Sequence, residues 1–209
     1  MQASLDKIRL LVRSGVRVLA RALNQVTNGR VHPDAVTIFG FLMHIPIAVL
    51  IATSHFIIAA ILLVIFGLFD TLDGELARLQ HRESDRGGLL DASTDRMKEV
   101  LLYAGAAYFI TNSARPHTAF WAVLACGASL SVSYVKAKGE TVLATRKASS
   151  KYADLNRVFK DGLLTFELRM TVLVLGLLSG RLILAVIAIA LLASFTALQR
   201  LVRISRALT

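Results

Sequence analysis

Cysteine is nearly absent from these 209 residues: Cys126 stands alone, which excludes an intramolecular disulfide framework and a cysteine-based zinc cluster. Proline is scarce as well. Three prolines with thirteen glycines exclude a collagen-like or low-complexity chain. Residues 1–32 lack a continuous apolar core followed by a small-residue cleavage site, so this stretch is expected to be retained rather than removed as a signal peptide. Negative charge is in the minority, with 14 Asp+Glu against 24 Lys+Arg. A net charge of +10 on a soluble protein would raise nucleic acid as a partner. On a chain this apolar, anionic lipid headgroups are the better match, and no nucleic acid is expected.

Apolar length is what the chain has in excess. Hydrophobic residues make up 55%, above the roughly 45–50% of ordinary globular proteins. Runs at about 34–54, 56–77, 88–111, 117–137, 162–179 and 182–199 each approach the ~20 residues that cross a bilayer. They predict an all-α integral membrane protein with six transmembrane helices. Ahead of them, Arg9, Arg13, Arg17 and Arg21 recur every fourth residue while Leu5, Ile8, Val12, Leu19 and Leu23 take other faces. This pattern predicts an N-terminal amphipathic helix in residues 1–32 lying at the membrane interface, followed by one six-helix domain over 33–209. If residues 1–32 are cytoplasmic, nineteen basic residues fall on that side and only Arg115 and Arg181 on the other. The bias predicts both termini in the cytoplasm of a multi-pass protein of the cell membrane. The longest polar connection is expected at about 138–161.

Acidic residues concentrate where they cost most. Eight of fourteen lie between positions 70 and 99, and charge inside a membrane marks function before anything else. At 100° per residue, Asp70, Asp73, Gly74 and Ala77 share one helix face, with Glu75 off it, and Gly87, Asp91, Asp95 and Lys98 lie close to one line. A loop of about eight residues makes the two helices antiparallel, so the four aspartates are expected to meet near the cytoplasmic side. Four carboxylates in a partly buried site repel one another, and the available answers are raised pKa values or bound cations, with Arg78, Arg96 and Lys98 at hand to neutralise part of the charge. Hard oxygen donors without cysteine or a spaced histidine pair favour magnesium, manganese or calcium, with two ions plausible. Gly74, Ala77, Gly87 and Gly88 interleave the acids. Small residues in membrane helices are commonly packing contacts, but on a metal-binding face they also admit a flat ligand. A diphosphate held by two metals and Arg78 suits such a pocket.

The run Asp70-Thr-Leu-Asp73-Gly74-Glu-Leu-Ala77-Arg78, then eight residues, Gly87, three residues, Asp91, three residues and Asp95 resembles the CDP-alcohol phosphotransferase signature at every specified position. The segment from His32 to Thr37 resembles that family's short motif entering the first span. The resemblance implies transfer of a substituted phosphate from a CDP-linked lipid to a hydroxyl, with release of CMP. It implies Mg2+ or Mn2+, two ions, on Asp70, Asp73 and Asp91, with Asp95 as general base and as a further metal ligand. It places Gly74, Arg78, Ser84 and Gly87 at the CDP-diacylglycerol, with Asp34 closing the pocket, and it implies a homodimer.

For the acceptor, Ser133-Tyr134-Val135-Lys136-Ala137-Lys138-Gly139-Glu140 resembles a stretch of the phosphatidylinositol-phosphate synthases and their archaeal relatives. This implies a phosphorylated polyol, inositol phosphate before glycerol 3-phosphate, held by Lys136, Lys138 and Arg169. Phe166 stands where those synthases carry an arginine. The rival from another class is a divalent-cation transporter, which intramembrane carboxylates also suit. Against it, the acids cluster at one end of two helices, whereas a pathway needs polar groups along its length.

Overall fold

A computed structural model of the chain describes residues 2–145 and 165–208, and all regular structure among them is helical. The helices are α1 (Gln2–Val26), α2 (Pro33–Ala52), α3 (Phe56–Gly67), α4 (Phe69–Leu79), α5 (Asp85–Thr111), α6 (Phe120–Thr145), α7 (Phe166–Leu178) and α8 (Leu182–Leu208), with a 3-10 turn at Pro116–Ala119 before α6. Local chemistry sets several boundaries. Behind α1, Asn28 and Gly29 take positive φ (50° and 70°), and the Gly29 N–H returns to the Asn24 carbonyl at 2.9 Å. Such a left-handed stop is one that glycine and asparagine tolerate best. Pro33 then opens α2, where its missing N–H costs nothing, and Asp34 in the first turn complements the helix dipole.

Among the described residues, four stretches are long and apolar enough to cross a membrane: Pro33–Ala52, Phe56–Leu79, Pro116–Val142 and Leu182–Arg206. This is fewer than the six expected, for two physical reasons. The 88–111 run belongs to α5, a 27-residue helix whose first half carries the acidic and basic residues of the site. The 162–179 run is represented by α7, only 13 residues long, or about 20 Å at 1.5 Å per residue against ~30 Å of hydrocarbon; positions 162–164 lie outside the described residues. The 56–77 run is also not one uninterrupted helix. It breaks at Leu68 between α3 and α4, where the Leu68 N–H turns to Ile65 (3.2 Å) and the Thr71 N–H to Leu68 (3.1 Å). The expected polar connection from 138 is helical up to Thr145, since α6 continues through it, and its remainder lies outside the described residues.

By contact the chain divides into two compact units, Met1–Val49 with Ile61–Leu101, and Leu50–Ala60 with Leu102–Thr209. In the first, α1 packs on α4, and Phe39, Phe66 and Phe69 form a mutual aromatic cluster with centroids 5.1–6.0 Å apart. Their rings brace the chain on both sides of the Leu68 break. In the second unit, α8 packs against α6 and α7. Leu173, Leu177, Val186, Ile189, Ala190 and Ala193 are buried there. The turn between α7 and α8 closes through Gly180 at φ 65°, with the Arg181 N–H on the Gly176 carbonyl at 2.8 Å. Tyr103 is buried, and its hydroxyl meets Ser129 Oγ at 3.1 Å, satisfying two polar groups that would be costly in an apolar core.

Candidate active site

Asp70 lies in the first turn of α4, directly after the break at Leu68, and Asp91 and Asp95 follow one another by one helical turn on α5. One carboxylate oxygen from each of Asp70, Asp91 and Asp95 lies within 4.8 Å of the others. At that spacing two full charges repel by about 3 kcal/mol even with an effective dielectric near 20, a repulsion that either a bound cation or a retained proton relieves. Asp91 Oδ1 is buried and has no hydrogen-bond partner among the described residues. A buried, unpaired oxygen on one member of a three-carboxylate group fits a hard divalent cation, which takes oxygen donors of this kind.

Asp73 is treated differently from the other three aspartates. Its Oδ2 accepts from Thr37 Oγ1 at 2.5 Å and its Oδ1 from the Gly74 N–H at 2.6 Å, and the side chain is buried. Three of the four expected aspartates therefore group as one set of oxygens, while the fourth has protein donors on both oxygens and is tied to α2. Thr37 was part of the short motif at the head of α2, but its bond to Asp73 was not anticipated.

The neighbouring cations also divide in an unexpected way. Lys98 Nζ donates to Asp70 Oδ1 and to Asp95 Oδ1, the latter at 3.3 Å. Arg96 approaches Asp95 Oδ2 at 3.5 Å and Glu99 Oε1 at 3.7 Å. Arg78, expected to offset the aspartates, instead donates from Nη2 to Glu75 Oε1 at 2.9 Å. Buried Glu75 also receives Arg13 Nε at 2.6 Å and Arg17 Nε at 3.1 Å. So part of the arginine stripe assigned to lipid headgroups is spent on holding α1 to α4, although both arginines remain about half exposed.

A cavity of about 340 Å³ opens beside the cluster, lined by Asp34, Thr37, Asp70, Asp73, Gly74, Ala77, Arg78, Ser84, Gly87 and Asp91, among others. It gathers every residue expected at the nucleotide. Ser84 precedes α5, and its Oγ accepts the Gly87 N–H at 3.0 Å, a helix-capping bond. A Cβ at Gly87 would stand 3.2 Å from that oxygen and 3.6 Å from Asp34 Oδ1, so glycine here keeps the cap and the cavity wall from colliding. A Cβ at Gly74 would sit 3.5 Å from the Arg78 guanidinium, so its absence leaves space between that group and the backbone.

The residues expected at the acceptor phosphate lie in the second unit. Lys136 is exposed and approaches Glu140 at 3.9 Å, Lys138 is exposed, and Arg169 is buried, with its guanidinium 5.9 Å from the Phe166 ring centre. Phe166 thus provides a π face against the arginine. Arg200, which counted in the sequence only toward the basic cytoplasmic side, is buried too. Its Nη1 donates to the Val132 carbonyl at 3.2 Å, and its Nε has no partner among the described residues. The available signal was Thr196 with Arg200, one turn apart on the last apolar helix and both buried.

Residues 30–198 match the CDP-alcohol phosphatidyltransferase family. The chain belongs to that family. It is accordingly a multi-pass membrane protein. Among its relatives, a phosphatidylinositol phosphate synthase of Corynebacterium glutamicum is 36% identical over 114 residues, covering 53% of this chain and 52% of that one. The chain thus spans about half the length of that relative. An archaetidylinositol phosphate synthase of Methanothermobacter thermautotrophicus is 30% identical over 176 residues, covering 81% of this chain and 80% of the other. The fold resembles that of the Mycobacterium tuberculosis phosphatidylinositol phosphate synthase, solved with CDP-DAG bound (TM-score 0.75, 23% identity, 90% of this chain and 92% of that one). The same enzyme was solved with manganese and citrate (TM-score 0.76, 23% identity, 91% and 88%).

Proposed function

We propose that this CDP-alcohol phosphatidyltransferase moves the phosphatidyl group of CDP-diacylglycerol to a hydroxyl of a phosphorylated polyol, inositol phosphate first and glycerol 3-phosphate second, and releases CMP. The observation that carries the reading is the set of Asp70, Asp91 and Asp95 oxygens beside a cavity walled by Asp34, Gly74, Arg78, Ser84 and Gly87. Asp70, Asp73, Asp91 and Asp95 would hold Mg2+ or Mn2+, two ions, whose charge offsets that of the diphosphate.

The remaining work falls to side chains. Arg78 and the backbone at Gly74 and Gly87 receive the cytidine diphosphate. Asp95 accepts the proton of the acceptor hydroxyl as its oxygen bonds to the phosphatidyl phosphorus, while the bond from that phosphorus to the CMP oxygen breaks. Lys136, Lys138 and Arg169, joined by Arg200, hold the acceptor phosphate. A dianion is matched by two buried guanidinium groups, whereas choline is repelled by them.

The same reading takes residues 33–209 as one six-helix domain, with α5 and the α7 region as the two spans that length and hydropathy alone leave out. It places α1 at the membrane interface, both termini and the site on the cytoplasmic side, and the chain in a homodimer. The biased basic residues support the orientation. The test is CMP release from CDP-diacylglycerol as inositol phosphate, glycerol 3-phosphate, free inositol and serine are added in turn. Release with a phosphorylated polyol is expected. Release only with serine or free inositol would sink the acceptor assignment and spare the transfer chemistry.

A further inference from the structure

Lys98 is the member of the aspartate cluster for which the transfer reaction supplies no task. It is 1% exposed, and its ammonium bonds one oxygen of Asp70 and one of Asp95. The other two cations near the cluster are differently engaged. Arg96 is shared between Asp95 and Glu99 at 3.5 and 3.7 Å, and Arg78 pairs with Glu75. Two of the three carboxylates that group as candidate metal ligands are thus already paired to a buried positive charge of the protein's own.

We propose that Lys98 is a resident counter-ion that competes with the divalent cation for Asp70 and Asp95 and thereby sets how tightly the site holds metal. The inference rests on the metal reading of the aspartates. A doubly charged ion brought against Asp70 and Asp95 meets the ammonium at close range, and ammonium and ion repel. Lysine is suited to yield because its charge sits on a flexible four-carbon stem. Yielding has a cost, since an ammonium drawn off its carboxylates inside the protein loses its partners. That cost is subtracted from metal affinity. Conversely, Lys98 relieves the mutual repulsion of the aspartates whenever metal is scarce, so it protects the fold under those conditions.

The test is Mn2+ binding to the purified full-length protein in detergent, read from the free Mn2+ paramagnetic signal, with no turnover involved. Lys98→Met keeps chain length and removes charge; its Mn2+ dissociation constant is expected to fall by roughly tenfold or more. Its thermal midpoint in chelator is expected below that of the wild type, with Mn2+ restoring more of it. Lys98→Arg keeps the charge and is expected to stay within about threefold of the wild type in Mn2+ affinity. If Lys98→Met does not yield folded protein, Lys98→Gln serves the same comparison. Unchanged or weaker Mn2+ binding by the neutral variant overturns the proposal. Asp91→Ala separates the two levels of inference. Wild-type binding that disappears in Asp91→Ala without tightening in the neutral Lys98 variant defeats the counter-ion role alone. Absence of any Asp91-dependent binding defeats the metal reading and this proposal together.

Discussion

Asp95 combines two demands on one carboxylate: it stands among the grouped oxygens and carries the proposed proton transfer. Asp95→Asn keeps shape and removes the proton acceptor, so CMP release is expected to drop by ~10²–10⁴-fold while CDP-diacylglycerol still binds. Retention of a third of the activity would remove Asp95 from the chemistry. Thr37→Val tests the tie to α2. It leaves buried Asp73 Oδ2 without its donor, and loss of a hydrogen bond to a charged group costs about 1.5–3 kcal/mol. A lower thermal midpoint and weaker CDP-diacylglycerol binding are expected by differential scanning fluorimetry and equilibrium binding. For the acceptor, Arg169→Gln and Arg200→Gln are each expected to raise the KM for inositol phosphate ~10–100-fold, with little change in the KM for CDP-diacylglycerol. Equal changes in both constants would count against a phosphate role. Asp91 with Asp95 was legible in the sequence because one helix turn brings i and i+4 together, and Asp70 joins them as the short antiparallel turn leads one to expect, whereas Asp73, expected with them, stands apart on its own donors. Thr37 with Asp73, and Arg200 with the Val132 carbonyl, are joined across 36 and 68 residues, and no periodicity within one helix announces such pairs.

Among the elements, α1 depends on a contact that was equally invisible. The period of the arginine stripe specifies a helix, yet nothing in it says that Glu75, 58 and 62 residues away, takes two of its members. Arg13 and Arg17 are half exposed and regain water when released, so Glu75→Gln is expected to cost only about 1–2 kcal/mol of stability. Its sharper signature is faster amide exchange and proteolysis in α1, with α8 unaffected. At the α7–α8 turn a methyl group at Gly176 would overlap the Ala185 side chain. Gly176→Ala is therefore expected to destabilise by about 1–3 kcal/mol, the usual cost of overpacking, seen as a lower midpoint of thermal unfolding. Apolar runs located the helices well because hydrophobic length is a strong signal. The break at Leu68 leaves no mark in the sequence, because residues 56–67 are apolar throughout and no proline stands at the interruption.

For the whole molecule, the proposed orientation follows from charge: nineteen basic residues on one side against two on the other is a large imbalance under the positive-inside rule. A fluorescent reporter that matures only in the cytoplasm, fused after residue 209, is expected to glow. Activity of a periplasm-dependent phosphatase fused at the same point would reverse the topology. The division of the chain into two units has a consequence for how the protein can change over evolutionary time. Every residue proposed to handle the nucleotide falls between 33 and 95, in the first unit, and every cation proposed for the acceptor falls between 136 and 200, in the second. Recombination that replaced the later stretch with that of a relative would alter which headgroup is built while inheriting an unaltered way of activating the donor. A new lipid could therefore arise by exchange of one gene segment rather than by reinvention of the chemistry.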